Sequence, residues 1–150
     1  MRAILQRVSQ AEVKSEGRVL AQQGAGLLIL LGITEGDDAT DRDWLVRKIA
    51  AMRIFEDEEG RMNRSVRESA GEVTVVSQFT LYASTKKGNR PSFIKAARPE
   101  IAEPLYEDFC AALATALEKP VGRGEFGAMM TVSLCNDGPV TIILDSKNPE

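Results

Sequence analysis

The sequence contains no histidine among its 150 residues. This absence excludes Ser-His-Asp and Cys-His catalysis, and every metal site that needs an imidazole ligand. Cysteine is scarce as well, since only Cys110 and Cys135 are present and they lie on separate predicted elements. We therefore expect no metal and no cofactor. If the chain is an enzyme, its acid–base chemistry must come from carboxylates, hydroxyls, backbone groups or the substrate.

Long apolar runs are also missing. No run reaches the roughly 18 residues that a membrane span needs, so we expect no membrane partner. Residues 1–13 are typical of a strand and lack the apolar centre and cleavage site of a signal peptide. Together with the scarcity of cysteine, this predicts a cytoplasmic protein with reduced thiols. The length, with 43% apolar residues, suits one soluble domain over residues 1–150.

Charge is unevenly distributed along the chain. The net charge of −3 argues against a broadly basic nucleic-acid coat. Residues 84–98 nevertheless contain no acid, and they carry the cations Lys86, Lys87, Arg90, Lys95 and Arg98. Such a segment is either a solvated loop or a local surface that binds phosphates. Within it, the run GNRPSF is either a mobile turn or a contact for phosphate and ribose.

The pattern of apolar residues predicts a strand-rich chain. The run GLLILLGI over residues 26–33 is apolar throughout, which indicates a strand buried on both faces. The other expected strands cover residues 2–8, 72–82, 129–135 and 140–144, with a hairpin over 11–22 around Glu16-Gly17.

Two helices are expected. The first follows residues 37–43, in which Thr40 and Asp43 resemble a capping box. The second covers residues 99–117, and its predicted buried face consists of Ile101, Leu105, Phe109, Ala112 and Ala116. Between the helices we expect a polar loop with Met62 turned inward, and the polar tail 145–150 is expected to fray.

Polar residues interrupt an apolar strand in the run SQFTLYA, residues 77–83. Buried polar side chains cost free energy unless they are hydrogen-bonded, so Ser77, Gln78 and Thr80 either support the sheet or line a pocket. Thr80 would act as a nucleophile only beside a base, and no histidine is present to supply one.

A second polar run, NDGPVT over residues 136–141, has the Asp-Gly signal of a hairpin turn. Pro139 cannot donate a ladder hydrogen bond, so we place it at a strand start or edge. Arg7 lies in an apolar-patterned strand, where it either faces solvent or needs a carboxylate or carbonyl partner.

Taken together, these segments resemble the D-aminoacyl-tRNA deacylase family over the whole chain. The opening MRAILQRVSQAEV matches the family, as do the two signature motifs SQFTLYA and NDGPVT and the stretches GNRPSF and GEFGAMM. The expected fold is therefore α/β, a single compact strand-rich domain with a barrel-like sheet and about two helices. The resemblance implies a homodimer with active sites at the subunit interface, and D-aminoacyl-tRNA as the partner.

The resemblance also implies roles for particular residues. Gly138-Pro139 would be cis and would insert into the partner's pocket, where two carbonyl oxygens hold the substrate's α-ammonium group, and Arg7 would brace the dipeptide from the other subunit. Residues 77–80, which are Ser77, Gln78, Phe79 and Thr80, would line the pocket with backbone amides toward the ester carbonyl. Met129 would help to wall the adenosine site, and Thr141 is placed with the substrate-binding residues.

In this scheme an L side chain collides with the dipeptide, so chirality is set by exclusion, and glycyl-tRNA becomes a possible substrate. The base would be the 2′-OH of the terminal ribose, acting on a water, although a covalent role for Thr80 stays open. Two other hypotheses remain at this point. One is a non-catalytic RNA-binding module, and the other is an esterase that uses Thr80 on small acyl substrates.

Overall fold

The computed structural model describes residues 1–149. The strands are β1 (Arg2–Ser15), β2 (Arg18–Gln23), β3 (Gly26–Gly32), β4 (Phe55–Glu56), β5 (Met62–Arg64), β6 (Glu72–Ser77), β7 (Gly122–Arg123) and β8 (Thr131–Asp145). The helices are α1 (Ala39–Ala51) and α2 (Pro99–Leu117), and a 3-10 helix covers Phe79–Tyr82.

The long strand β1 organises the main sheet. One edge of β1 pairs antiparallel with β3 and then, further along, with β2, while its other edge pairs antiparallel with β8. The sheet continues from β3 through the parallel strands β6 and β7. Because β2 approaches β7, the sheet curls into a nearly closed barrel. The predicted fold class, strand-rich with two helices and a barrel-like sheet, is confirmed.

Apolar side chains are buried on both faces of β3. Leu27, Ile29 and Leu31 belong to the core between the sheet and the helices, together with Phe109 and other residues of α2. Leu28 points to the other side, into a smaller cluster inside the curled sheet. The prediction of a strand buried on both faces is therefore confirmed.

Both helices lie close to where the sequence placed them, but two details differ. The capping box of α1 consists of Asp38 and Asp41, and not of Thr40 and Asp43. The buried face of α2 is shifted by about one residue from the predicted one, because the side chains that meet the sheet follow helical spacing from Ala102. The buried residues are Ala102, Tyr106, Phe109, Cys110, Leu113 and Leu117, whereas Ile101 is exposed.

The strand predictions need more correction. Strand β6 ends at Ser77, so residues 79–82 are helical and not extended. The predicted hairpin at residues 136–139 is wrong, since β8 continues along β1 on both sides of it without reversing. Met62 is 57% exposed on a short strand within the predicted loop, and so does not turn inward.

The predicted fraying of the tail is also wrong for residues next to β8. The α-ammonium group of Met1 contacts the Asp37 carboxylate at 2.6 Å and donates to Ser146 Oγ at 2.8 Å. Ser146 Oγ and Lys147 Nζ each donate to Asp41, both at 2.7 Å. These bonds join the start of β1, the first turn of α1 and the tail, whose last residue, Glu150, lies outside the described residues.

The pKa of Asp41 reflects these contacts. Burial alone would raise it, but the hydrogen bonds from Lys147, Ser146 and the Asp38 backbone outweigh burial and lower the pKa from 3.8 to about 2. A carboxyl with a depressed folded-state pKa stabilises the fold above its unfolded pKa, and loses that contribution as the pH falls toward the folded value.

We therefore expect Asp41→Asn to lower the free energy of unfolding by about 1–2 kcal/mol at pH 7. The difference from the wild type should shrink as the pH falls from about 5 to 2, because the wild-type carboxyl is then protonated too. Urea unfolding at several pH values measures it, with Asp43→Asn, an exposed carboxylate on the same helix, as the control. A difference that does not change with pH would contradict this account.

Candidate active site

A cavity of about 580 Å³ opens where β6 ends. Its walls come from the end of β3, the 3-10 helix, the start of α2 and residues 126–132. Of the predicted site residues, Ser77, Gln78, Phe79 and Met129 line it. None of the lining side chains within residues 1–149 is ionisable. The cavity therefore offers apolar surface and a few hydrogen-bonding groups, but no charged acid or base.

Backbone amides are the prominent polar feature at this cavity. The N–H of Gln78 donates to the carbonyl of Leu31 at 2.7 Å, which continues the sheet pairing by one residue. The next two residues, Phe79 and Thr80, start the 3-10 helix, where no preceding turn supplies an acceptor. Among the described residues no acceptor is recorded for either N–H. Two adjacent donors, one of them on the cavity-lining residue Phe79, thus have no hydrogen-bond partner among residues 1–149.

The Thr80 side chain is arranged differently from its backbone. The side-chain amide of Gln78 donates from Nε2 to the Thr80 hydroxyl, and among residues 1–149 no carboxylate contacts that hydroxyl. Thr80 does not line the cavity. The geometry brings Thr80 next to the site but gives its hydroxyl no base that would activate it.

The far end of the 3-10 helix is fixed by a residue that the sequence did not single out. Arg2 donates from Nη1 to the carbonyl of Leu81 at 3.0 Å and pairs with Asp145 at 2.8 Å. Its guanidinium group also lies 4.6 Å from the centre of the Tyr82 ring. Burial raises the pKa of the Tyr82 phenol above its usual value, so this ring stays neutral. Arg2 therefore holds the helix whose opposite end presents the free amides.

Exposed apolar side chains lie at the rim of the cavity. The rings of Phe79 and Phe93 pack edge to face with centroids 5.1 Å apart, and Phe79 is 57% exposed. Met129 is 90% exposed. Exposed aromatic and thioether groups beside a cavity can contact a flat ring.

The second predicted motif forms a protruding bulge in β8. Gln6 pairs with Thr141 and Val8 pairs with Asn136, so that Arg7 alone faces residues 137–140. The Gly138-Pro139 peptide bond is cis, and both residues are exposed. Gly138 has φ of 125°, and a Cβ there would lie 2.9 Å from the Val140 side chain, so no other residue fits readily.

Arg7 braces this bulge within its own chain. It is 5% exposed, and donates from Nε to the Asp137 carbonyl at 3.1 Å and from Nη1 to the Ile54 carbonyl at 2.7 Å. Its Nε also lies 3.2 Å from the Asp137 carboxylate. A solvent-facing Arg7 is thereby excluded. Within one chain the side chain thus holds the residue before its own dipeptide, and the brace from the other subunit stays a prediction.

Gln6 is a functional candidate that sequence reasoning missed. Its amide donates to Asn136 at 2.6 Å and accepts from the Thr141 hydroxyl at 2.8 Å, so it joins the two ends of the bulge. Only the register of β1 with β8 could have revealed it. Thr141 contributes to the bulge through its bond to Gln6, and its role in substrate binding stays a prediction. Within one chain, neither Thr141 nor Arg7 nor Gly138-Pro139 lines the cavity.

Neither cysteine lines the cavity. Burial raises the pKa of the Cys110 thiol to about 11, so it remains a thiol, while Cys135 is exposed on β8. The described residues contain no group of three or more His, Cys, Asp or Glu side chains arranged to hold a metal. No helix in that part of the chain is long and apolar enough to span a membrane.

We expect Arg7→Met to destabilise the protein by about 1–3 kcal/mol, because the buried Ile54 carbonyl and the part-buried Asp137 carbonyl lose their donor. Arg7→Lys should recover part of this loss, since an ammonium group reaches one of them. Arg18→Met, which removes an exposed arginine on the neighbouring strand β2, is the control. Urea unfolding gives the stability, and amide exchange at residues 136–141 should quicken only in the Arg7 variants. Unchanged exchange there would contradict a bracing role.

Comparison with known proteins identifies the chain's relatives. The sequence profile described as D-Tyr-tRNA(Tyr) deacylase matches residues 4–145. A D-aminoacyl-tRNA deacylase of Bacteroides thetaiotaomicron is 59% identical over 150 residues, covering 100% of both chains. One of Akkermansia muciniphila is 61% identical with the same coverage.

Solved structures agree with this relationship. A protein described as c-Myc DNA unwinding element binding protein superposes with a TM-score of 0.90 at 41% identity, covering 97% of this chain and 98% of its own. A probable eukaryotic D-amino acid tRNA deacylase shares the fold, with a TM-score of 0.80 at 20% identity over 95% of this chain and 97% of its own. The chain belongs to the D-Tyr-tRNA(Tyr) deacylase family.

Proposed function

We propose that this protein hydrolyses the ester bond of D-aminoacyl-tRNA and releases free D-amino acid and tRNA. The observation that carries the proposal is the pair of unbonded backbone N–H groups of Phe79 and Thr80 beside a cavity without ionisable side chains. The relatives named D-aminoacyl-tRNA deacylase support the substrate class. The reaction would serve chiral proofreading in translation, in the cytoplasm.

In the proposed mechanism a water attacks the ester carbonyl carbon, and the carbonyl oxygen becomes an oxyanion. The N–H groups of Phe79 and Thr80 stabilise that charge, which is greater in the transition state than in the substrate. The intermediate collapses with cleavage of the bond to the ribose 3′-oxygen, which takes up a proton. Since no side-chain base lines the cavity, the ribose 2′-OH beside the ester is the group that assists proton transfer from water.

Selection for D substrates requires a second copy of the chain in this proposal. One edge of β8 pairs with β1, and apolar side chains such as Leu134 and Ile143 are exposed on this strand. Exposed strands of this kind tend to pair with another chain. In a homodimer the bulge with Gly138-Pro139 would enter the partner's cavity and offer its carbonyl oxygens to the α-ammonium group.

The dipeptide would then leave room for an amino acid side chain on only one side of Cα. A D side chain points away from it, and an L side chain meets it, so discrimination arises by exclusion. Glycine has no side chain to exclude, and glycyl-tRNA is accordingly a second proposed substrate. Met129 at the rim would contact the terminal adenosine, and Arg7, Gln6 and Thr141 would act by holding the bulge.

A second candidate function is nucleic-acid binding without chemistry. The basic segment 84–98 favours it, as does the structural relative described as c-Myc DNA unwinding element binding protein. A third, an esterase that uses Thr80, has no base beside the hydroxyl to support it.

One comparison of substrates separates the three functions. We expect rapid release of D-tyrosine from D-Tyr-tRNA, far slower release from L-Tyr-tRNA, and little turnover of D-tyrosine methyl ester, which lacks the ribose. Binding of both tRNAs without release would favour the nucleic-acid-binding function. Fast turnover of the methyl ester would favour the esterase.

The role of the Phe79 amide is tested by a matched pair of variants. Phe79→Pro removes both the ring and the N–H at the first position of the 3-10 helix, a position at which proline is well tolerated, whereas Phe79→Ala removes only the ring. We expect kcat of the proline variant to lie about 10²–10³-fold below that of the alanine variant. Thr80→Ala, which keeps its N–H, should retain most of the wild-type kcat. Equal rates for the two Phe79 variants would remove this amide from the mechanism.

The role of the substrate hydroxyl is tested with D-Tyr-tRNA that ends in 2′-deoxyadenosine. If the 2′-OH assists proton transfer, kcat should fall strongly, typically about 10²–10⁴-fold, while KM changes little. Single-turnover kinetics separates the two parameters. Hydrolysis at the wild-type rate would mean that a protein group supplies the base.

A further inference from the structure

Residues 84–98 are called here the basic loop. In the described part of the chain, the cations of this loop form no ion pair with a carboxylate. Lys86, Lys87, Arg90, Lys95 and Arg98 are all exposed, and none of them takes part in the ion pairs recorded among residues 1–149. Elsewhere arginines such as Arg61, Arg64 and Arg67 pair with carboxylates. The basic loop is thus a concentrated positive surface on a chain of net charge −3.

The backbone holds the basic loop in a defined place. Ser84 and Ser92 close its base with two hydrogen bonds, of 2.8 and 2.9 Å. Beyond this closure the Phe93 ring packs on Phe79, and the N–H of Ala97 donates to the carbonyl of Ile33 at 2.9 Å. Residues 93–97, in the second half of the basic loop, are therefore fixed to β3 and to the 3-10 helix.

The same segment forms part of the cavity. Phe93, Ala96 and Ala97 line it, while Lys86, Lys87 and Arg90 lie on the closed part of the loop that these residues support. A ligand whose end occupies the cavity can therefore continue toward the cations. Such a ligand needs a reacting group at one end and negative charges a short distance further along the ligand itself.

We propose that the basic loop binds the phosphates of the single-stranded 3′ end of the RNA whose terminal ester occupies the cavity, an inference that rests on the proposed function. Lysine ammonium groups bind phosphates as point charges and do not recognise bases, so the contact adds affinity for any RNA of this form. Because the rest of the chain is acidic overall, the loop also sets the direction in which the RNA leaves the site.

The aromatic pair links the two parts of this surface. Phe93 follows the loop closure directly, and its partner Phe79 carries one of the free amides. Exposed rings in this position give the last bases a stacking surface, which tolerates any base because every base has a π face. Phosphate binding on the loop therefore places the terminal nucleotide beside the amides.

The test compares the wild type with a triple variant on two substrates. The variant carries Lys86→Gln, Lys87→Gln and Arg90→Gln. D-Tyr-tRNA carries phosphates, whereas the D-tyrosyl ester of adenosine carries none. We expect kcat/KM for D-Tyr-tRNA to fall at least about tenfold, through KM, and the log–log dependence of tRNA affinity on salt to lose a slope of about 2, at roughly 0.7 per single-strand contact. Turnover of the adenosine ester should stay at the wild-type rate.

The control variant replaces Arg61, Arg64 and Arg67 with glutamine. It also removes three positive charges, so both triple variants have a formal net charge of −3 − 3 = −6. Its tRNA kinetics should match those of the wild type. An equal loss in the control would attribute the effect to net charge and overturn the proposal, as would an equal loss of activity on tRNA and on the adenosine ester.

Failure of the proposed function would look different. If the wild type hydrolyses neither substrate, the proposed function fails, and titration with uncharged tRNA still tests the loop. Wild-type affinity and salt slope in the Lys86, Lys87 and Arg90 variant would then overturn RNA binding by the loop. Retention of the wild type by anionic lipid vesicles, but not by tRNA, would overturn it as well.

Discussion

The antiparallel pairing of β1 with β8 is the constraint on which both the bulge at residues 137–140 and the 3-10 helix beside the cavity depend. It runs along most of both strands and is interrupted around Arg7, where four residues of β8, 137–140, face one residue of β1. The interruption turns a regular ladder into a protruding bulge, and the intact pairing on either side prevents it from collapsing. Arg7 then donates to the Asp137 carbonyl, a backbone group that the missing ladder bonds leave over, and Gln6 joins the side chains of Asn136 and Thr141 at the two ends of the bulge.

The cavity arises from a second interruption of the same sheet. Strand β6 follows β3 as far as Ser77, and the chain then turns into the 3-10 helix. A strand would have used its N–H groups in the ladder, whereas the first turn of a helix leaves them unpaired. Arg2, on the first position of β1, holds the other end of that helix through the Leu81 carbonyl. Strand β1 thus supports both the bulge and the free amides.

Much of this fold could be predicted from the sequence, because local signals and tertiary structure agree in β3 and α2. Phe79–Tyr82 could not, since its aromatic and β-branched residues favour a strand, whereas a close contact of Leu81 with Gly32 and the bond from Arg2 favour the helix. The Asp-Gly-Pro signal likewise fits a hairpin and a bulge equally well. Only the pairing partner, which is distant in sequence, decides between them.

The absence of histidine affects how the site depends on the protonation of side chains. A site built from backbone donors and acceptors does not depend on the protonation state of any side chain, and the lining of the cavity within residues 1–149 contains no ionisable group. Such a site depends on the accuracy with which neighbouring elements place the backbone. In the proposed mechanism, Arg2, Gln6 and Arg7 therefore carry constraints that would normally fall on a catalytic side chain, although they do not line the cavity.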